Sequence, residues 1–179
     1  MEERTVCGRS YRLLCLLGRG KGGYSYLAER EGQSYVLKQI HHEPCDYYSF
    51  GDKFEAECRD YQRLRLAGIR VPALLAADRE SERILKEYIE GETVFELIRD
   101  GKPVEPYLPQ VRDMAAAALA AGLNIDYFPT NFVVHNDTLW YVDYECNAYM
   151  ERWSFENWGV QYWSRTPAFE AYLESRRED

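Results

Sequence analysis

The stretch from Asn124 to Glu145, Asn-Ile-Asp-Tyr-Phe-Pro-Thr-Asn-Phe-Val-Val-His-Asn-Asp-Thr-Leu-Trp-Tyr-Val-Asp-Tyr-Glu, constrains this chain more than any other. Pro129 stands between Asp126 and Asn131 and breaks any helix across them, because it has no N–H to give and its ring clashes with the preceding turn. Phe132-Val133-Val134 reads as a short buried strand, Asn136-Asp137-Thr138 as a turn, and Leu139 to Val142 as a second apolar strand ending on Asp143. An antiparallel hairpin sets the entrance of its first strand beside the exit of its second. Asn131 and Asp143 are therefore expected side by side, with Asp126 just upstream on the same edge. Carboxylate and amide oxygens without Cys or His suit a hard cation such as Mg²⁺.

Upstream, the apolar run Tyr11 to Leu17 ends in Gly18-Arg19-Gly20-Lys21-Gly22-Gly23, and Tyr24 to Ala28 is strand-like again. A glycine cluster between two such runs predicts a hairpin whose backbone can approach a ligand closely. Gly18, Gly20 and Gly23 fit the spacing G-x-G-x-x-G. A dinucleotide-binding turn of that spacing must open a helix, whereas here a strand follows. Gln33 to Ile40 reads as a third strand in which Val36, Lys38 and Ile40 share a face. A lysine on such a face either reaches water at an edge or is buried with a fixed partner.

Asp52 to Gly68 is rich in helix formers and closes on a glycine, with Phe54, Cys58, Tyr61 and Leu64 on the inner face. Glu57 borders that face and Glu55 lies further round. Val71 to Ala77 and Arg83 to Gly91 read as two further strands around a polar turn. Thr93 caps a short helix to Arg99, Gly101 to Pro109 is a loop, and Gln110 to Ala121 is a packed helix with Val111, Met114, Ala115 and Ala118 inward. Trp153, Phe155, Trp158, Tyr162 and Trp163 crowd the tail. The core of a small lobe is their expected role, and a cage for a quaternary ammonium the alternative. Thr166-Pro167 opens a last helix with Phe169, Tyr172 and Leu173 inward, fraying into Ser-Arg-Arg-Glu-Asp.

The net charge of −8 argues against a nucleic-acid or anionic-membrane partner, and an anionic ligand needs a local cationic site to overcome it. Apolar runs such as Met114 to Leu123 are too short to span a bilayer. The start, Met-Glu-Glu-Arg-Thr-Val-Cys, has no secretory pattern, and five cysteines without a C-x-x-C pair suit a reducing compartment, so a cytoplasmic location is expected.

Asp126-Tyr-Phe-Pro-Thr-Asn131 followed by Asp143-Tyr-Glu145 resembles the catalytic loop and metal-binding motif of the protein-kinase-like superfamily. The glycine hairpin resembles that family's glycine loop, and Val36-Leu37-Lys38 its lysine strand. A rival parse placing His135-Asn136-Asp137 in the catalytic loop fails, because five residues on stands Val142, which binds no metal. The resemblance implies an α+β, two-lobe fold: an antiparallel N-lobe sheet with one helix over 1–89, and an abbreviated helical C-lobe over 90–179. It implies ATP and Mg²⁺ as cofactors, with Gly18, Gly20, Gly23 and Lys38 at the phosphates. A helix carboxylate, Glu57 in preference to Glu55, would pair with Lys38. The Glu87 carbonyl and Ile89 amide would face adenine, Asn131 and Asp143 would hold the metal, and Asp126 would accept the acceptor's proton.

The implied activity is transfer of the γ-phosphoryl group to a hydroxyl on a small molecule or a protein. The alternative is a nucleotide-binding pseudokinase that acts as a regulatory or partner-binding module. Asn124-Ile125, Phe128 and Glu145 stand where protein kinases carry His-Arg, Lys and Gly, and the stretch after Asp143 is short for a full helical lobe. Asp143-Tyr-Glu-Cys-Asn-Ala-Tyr, with the Trp and Phe that follow, resembles aminoglycoside- and choline-kinase-type phosphotransferases, and the chain also resembles small bacterial Ser/Thr-kinase-like proteins. Lys86 occupies the position that lines the back of the adenine pocket, usually apolar in the family. It must find a carboxylate, or the register is shifted by one residue.

Overall fold

A computed structural model describes residues 2–43 and 51–176. Cys45, the rest of the connection over 44–50, and the chain end over 177–179 lie outside the described residues. The fold is α+β, with four α-helices and a six-stranded antiparallel sheet among the described residues. The chain divides into two compact units, 1–61 with 72–88, and 62–71 with 89–179.

The first unit is built on β1 (Glu3–Val6), β2 (Arg9–Arg19), β3 (Gly23–Arg30), β4 (Gln33–Ile40), the start of α1 (Lys53–Leu66), β5 (Leu74–Asp78) and β6 (Arg83–Glu87). The strand order is β1-β2-β3-β4-β6-β5. Two hairpins close with two-residue turns, Cys7-Gly8 and Glu31-Gly32, in which both residues take positive φ. Such turns match the right-handed twist of the strands they join and so fix their register. One face of the sheet buries Val6, Tyr11, Ala28, Leu37 and Leu85. On the other, Ile40 and Ile84 pack with Phe54 of α1, flanked by Cys58 and Leu74. Period-2 alternation thus sends Leu37 one way and Lys38 and Ile40 the other, under the helix.

The second unit holds the end of α1, closed by Gly68 at φ +79° with Ile69 N–H donating to Leu64 O at 3.0 Å. It continues with β7 (Glu92–Thr93), α2 (Val94–Arg99), α3 (Leu108–Ala120), β8 (Leu123–Ile125), β9 (Phe132–His135), β10 (Thr138–Tyr141), β11 (Cys146–Ala148) and α4 (Pro167–Ser175). Thr93 and Glu96 form a reciprocal capping box on α2. The helix α3 starts at Leu108 rather than Gln110, because Pro109 falls in its first turn, where a missing N–H breaks no helical bond. Phe155, Trp163 and Phe169 are fully buried, and the tail's rings meet edge to face, Trp163 on Phe132 and on Phe155. Phe155 and Trp163 therefore serve as core, while Trp158 and Tyr162 are half-buried and Trp153 is exposed. Among the described residues no helix is long and apolar enough to cross a membrane.

Candidate functional site

In the first unit the glycine hairpin joins β2 to β3. Gly20 N–H donates to Gly23 O at 2.9 Å, and the Lys53 ammonium, at the start of α1, donates to Lys21 O at 3.0 Å and His41 O at 2.9 Å. The three motif glycines differ in what the fold asks of them. A Cβ on Gly23 would lie 2.3 Å from the Gln39 carbonyl oxygen, so the approach of β3 to β4 requires glycine there. At Gly18 a Cβ meets no atom within 4 Å, and at Gly20 only Gly23 O at 3.8 Å. The fold does not require glycine at either.

Beneath this hairpin lies a buried trio. Glu57, on the sheet side of α1, places Oε2 2.5 Å from Lys38 Nζ and Oε1 2.9 Å from Lys86 Nζ. The first contact is a hydrogen bond; the second is an ion pair without hydrogen-bond alignment. Side-chain exposure is 9% for Glu57, 11% for Lys38 and 4% for Lys86. Burial by itself would push the Glu57 carboxyl up, but the two ammonium groups outweigh it and hold the group down at about 2. Glu55 faces outward and pairs instead with Arg79 at 2.7 Å. Lys86 has its carboxylate, and it is the one Lys38 uses. Nothing local in the sequence announces that sharing, because Val36 faces Lys86 and Lys38 faces Ile84 only once β4 and β6 are paired.

Glu87 ends β6, where its N–H donates to Ala73 O at 2.9 Å and its carboxylate accepts Ala73 N–H at 3.0 Å. Ile89, which begins the second stretch of the other unit, is buried.

In the second unit, β9 and β10 pair with Phe132 opposite Tyr141 across a two-residue turn, Asn136-Asp137, with φ of 47° and 57°. Val142 N–H donates to Asn131 O at 2.9 Å and carries the ladder one step past both strand ends. Asn131 and Asp143 thus flank the open end of the hairpin. Asp126, which follows β8, joins them: Asn131 Nδ2 donates to its carbonyl at 3.3 Å. Asp126 Oδ1 accepts Phe128 N–H at 3.1 Å, and Asp143 Oδ1 accepts Tyr144 N–H at 2.7 Å.

Three further residues hold this loop. The buried Tyr141 hydroxyl accepts Asp126 N–H at 3.2 Å and donates to Glu145 O at 2.7 Å. Burial, with the Asp143 and Asp126 carboxylates nearby, raises its pKa well above the ordinary phenol. Trp163 Nε1 donates to Tyr127 O at 2.8 Å. Asn124 is buried between Met150 N–H, which it accepts at 2.5 Å, and Trp153 O, to which it donates at 3.3 Å. Phe128 meets Tyr172 edge to face at 4.6 Å and Tyr162 at 5.0 Å. Asn124 and Phe128 therefore pack the loop against the tail.

Asn131 and Asp143 offer oxygen donors, the kind that a hard cation takes. Donating its Nδ2 to Asp126 O leaves Asn131 its Oδ1 as the acceptor end, and Asp143 adds a carboxylate. Among the described residues there is no group of three or more His, Cys, Asp or Glu able to hold a metal ion. Two protein oxygens match an ion that keeps most of its shell as water or phosphate.

No protein-family model matches the chain, and a search of curated proteins finds no match either.

Proposed function

We propose that the protein is an ATP- and Mg²⁺-dependent phosphotransferase of kinase-like two-lobe fold. The observation that carries this reading is the Lys38–Glu57 ion pair beneath the glycine hairpin. A Cβ on Gly22 would stand 3.6 Å from Lys38 Nζ, so the loop backbone and the ammonium face the same small space. Backbone N–H groups beside a sheltered cation suit phosphate oxygens. Glycines at 18 and 20, which the fold itself does not demand, are explained by a ligand that must come close to the backbone.

In the second unit Asp126 would accept the proton of the attacking hydroxyl, its carboxylate oriented by Phe128 N–H. Asn131 and Asp143 would hold the Mg²⁺, which when bound neutralises charge on the transferring phosphates. The acceptor is a hydroxyl on a small molecule or a protein. Ile125, buried in β8, and Phe128, packed on Tyr162 and Tyr172, leave the loop without the arginine and lysine of protein kinases, which favours a small molecule.

The test is ATP consumption with a panel of amino alcohols, sugars, aminoglycosides and generic protein acceptors. Asp126→Ala should keep nucleotide binding and lose about 10²–10⁴-fold in rate. An unchanged rate moves the base elsewhere. Nucleotide binding without turnover by the wild type returns the regulatory, pseudokinase reading.

A further inference from the structure

Two ammonium groups from neighbouring strands converge on one buried carboxylate, Lys38 of β4 at 2.5 Å and Lys86 of β6 at 2.9 Å from Glu57. Their places in the sheet differ. Gly23 pairs with Ile40 at the hairpin end of β4, Lys38 is opposite Ile84, and Lys86 is opposite Val36, further from that end. Lys38 is thus the lysine beside Gly22, and Lys86 is the more enclosed of the two. In the trio one glutamate serves two lysines, so its pairing does not depend on Lys38 alone.

We propose that Lys86 is a positioning residue for phosphate binding: it holds Glu57, so that Lys38 can turn its ammonium to an anionic ligand without stranding a buried carboxylate. This rests on the phosphotransferase reading above. With one lysine, handing the ammonium to a phosphate abandons Glu57, and a buried charge that loses its partner is strongly destabilising. Here Glu57 keeps a cation throughout, and α1 stays tied to β6 whatever Lys38 does.

The experiment titrates Mg·ATP, and separately inorganic tripolyphosphate, into the wild type, Lys86→Met, Glu57→Gln and the double variant. Glu55→Gln, on the outward face of α1, serves as control. Lys86→Met is expected to weaken both ligands about tenfold or more. That loss should shrink in the Glu57→Gln background, where no carboxylate competes for Lys38; a purely structural lysine would show no such dependence. If Lys86→Met does not fold, Lys86→Gln carries the same expectation. Wild-type affinity in a folded Lys86 variant overturns the proposal and leaves the phosphotransferase reading standing. So does an equal loss with Glu57 present and in the Glu57→Gln background, since Lys86 would then act without Glu57. Failure of the wild type to bind either ligand overturns both.

Discussion

Asp126 gives its backbone N–H to the hydroxyl of Tyr141, 3.2 Å away, and that hydroxyl donates in turn to Glu145 O at 2.7 Å. One buried phenol therefore ties the loop that presents Asp126 to the segment just beyond Asp143. Tyr141→Phe keeps the ring and removes both bonds, leaving buried polar groups unmatched. It should cost about 1–3 kcal/mol in urea unfolding and speed hydrogen exchange at the Asp126 amide. Wild-type stability and exchange would mean that the loop is held elsewhere, by Trp163 and Asn124.

Two tyrosines also set an alkaline limit. Burial pushes Tyr127 up to about 12, and burial with the Asp143 and Asp126 carboxylates raises Tyr141 well above 10.0. The folded protein then holds phenolic protons that the unfolded chain releases near pH 10. Stability should be insensitive to these groups below that pH and fall as pH rises beyond it towards 12. Unfolding free energies across that window, with absorbance of tyrosinate as the second readout, check the sign. Tyr141→Phe should flatten the slope.

The acid side belongs to Glu57, whose carboxyl is depressed from 4.5 to about 2. A depressed carboxyl stabilises the fold fully above its unfolded value and loses that contribution as pH falls towards the folded one. The advantage of wild type over Glu57→Gln should therefore be largest above pH 5 and shrink between 4.5 and 2. A constant difference across that range would show that Glu57 is not held as a carboxylate between the lysines.

The glycines separate fold from ligand. Gly23→Ala puts a Cβ 2.3 Å from Gln39 O and should destabilise by about 1–3 kcal/mol or more. Gly18→Ala meets nothing within 4 Å and should leave stability within about 0.5 kcal/mol of wild type, yet weaken Mg·ATP binding. Undiminished affinity in Gly18→Ala would remove the close-approach argument for that residue.

What the sequence makes legible is what local chemistry decides. Gln33–Ile40 reads as a strand from its alternation and folds as one, and Asn136-Asp137 reads as the turn that aligns Asn131 with Asp143. Thr93 announces a helix start, and the structure adds Glu96 as the other half of its capping box. The rest depends on partners distant in the chain. Tyr141 looks like one more apolar strand residue, and only the path of residues 126 and 145 past it gives its hydroxyl a role. Lys86 looks misplaced until β6 is laid beside β4 and Glu57 is seen to serve both lysines. The short strands β7, β8 and β11 have too few residues for a periodic signal, and are defined by what they pair with.

The most direct measurement of the central claim is the melting temperature of the protein with and without Mg·ATP. At about a hundredfold excess over Kd the linkage gain is about 2.7 kcal/mol. For a chain of 179 residues, at about 2–4 °C per kcal/mol, that is a rise of roughly 5–11 °C. Lys38→Met should reduce the rise through weaker nucleotide binding, and Asp143→Asn should remove its Mg²⁺-dependent part. No rise with any nucleotide at saturating Mg²⁺ would contradict the account.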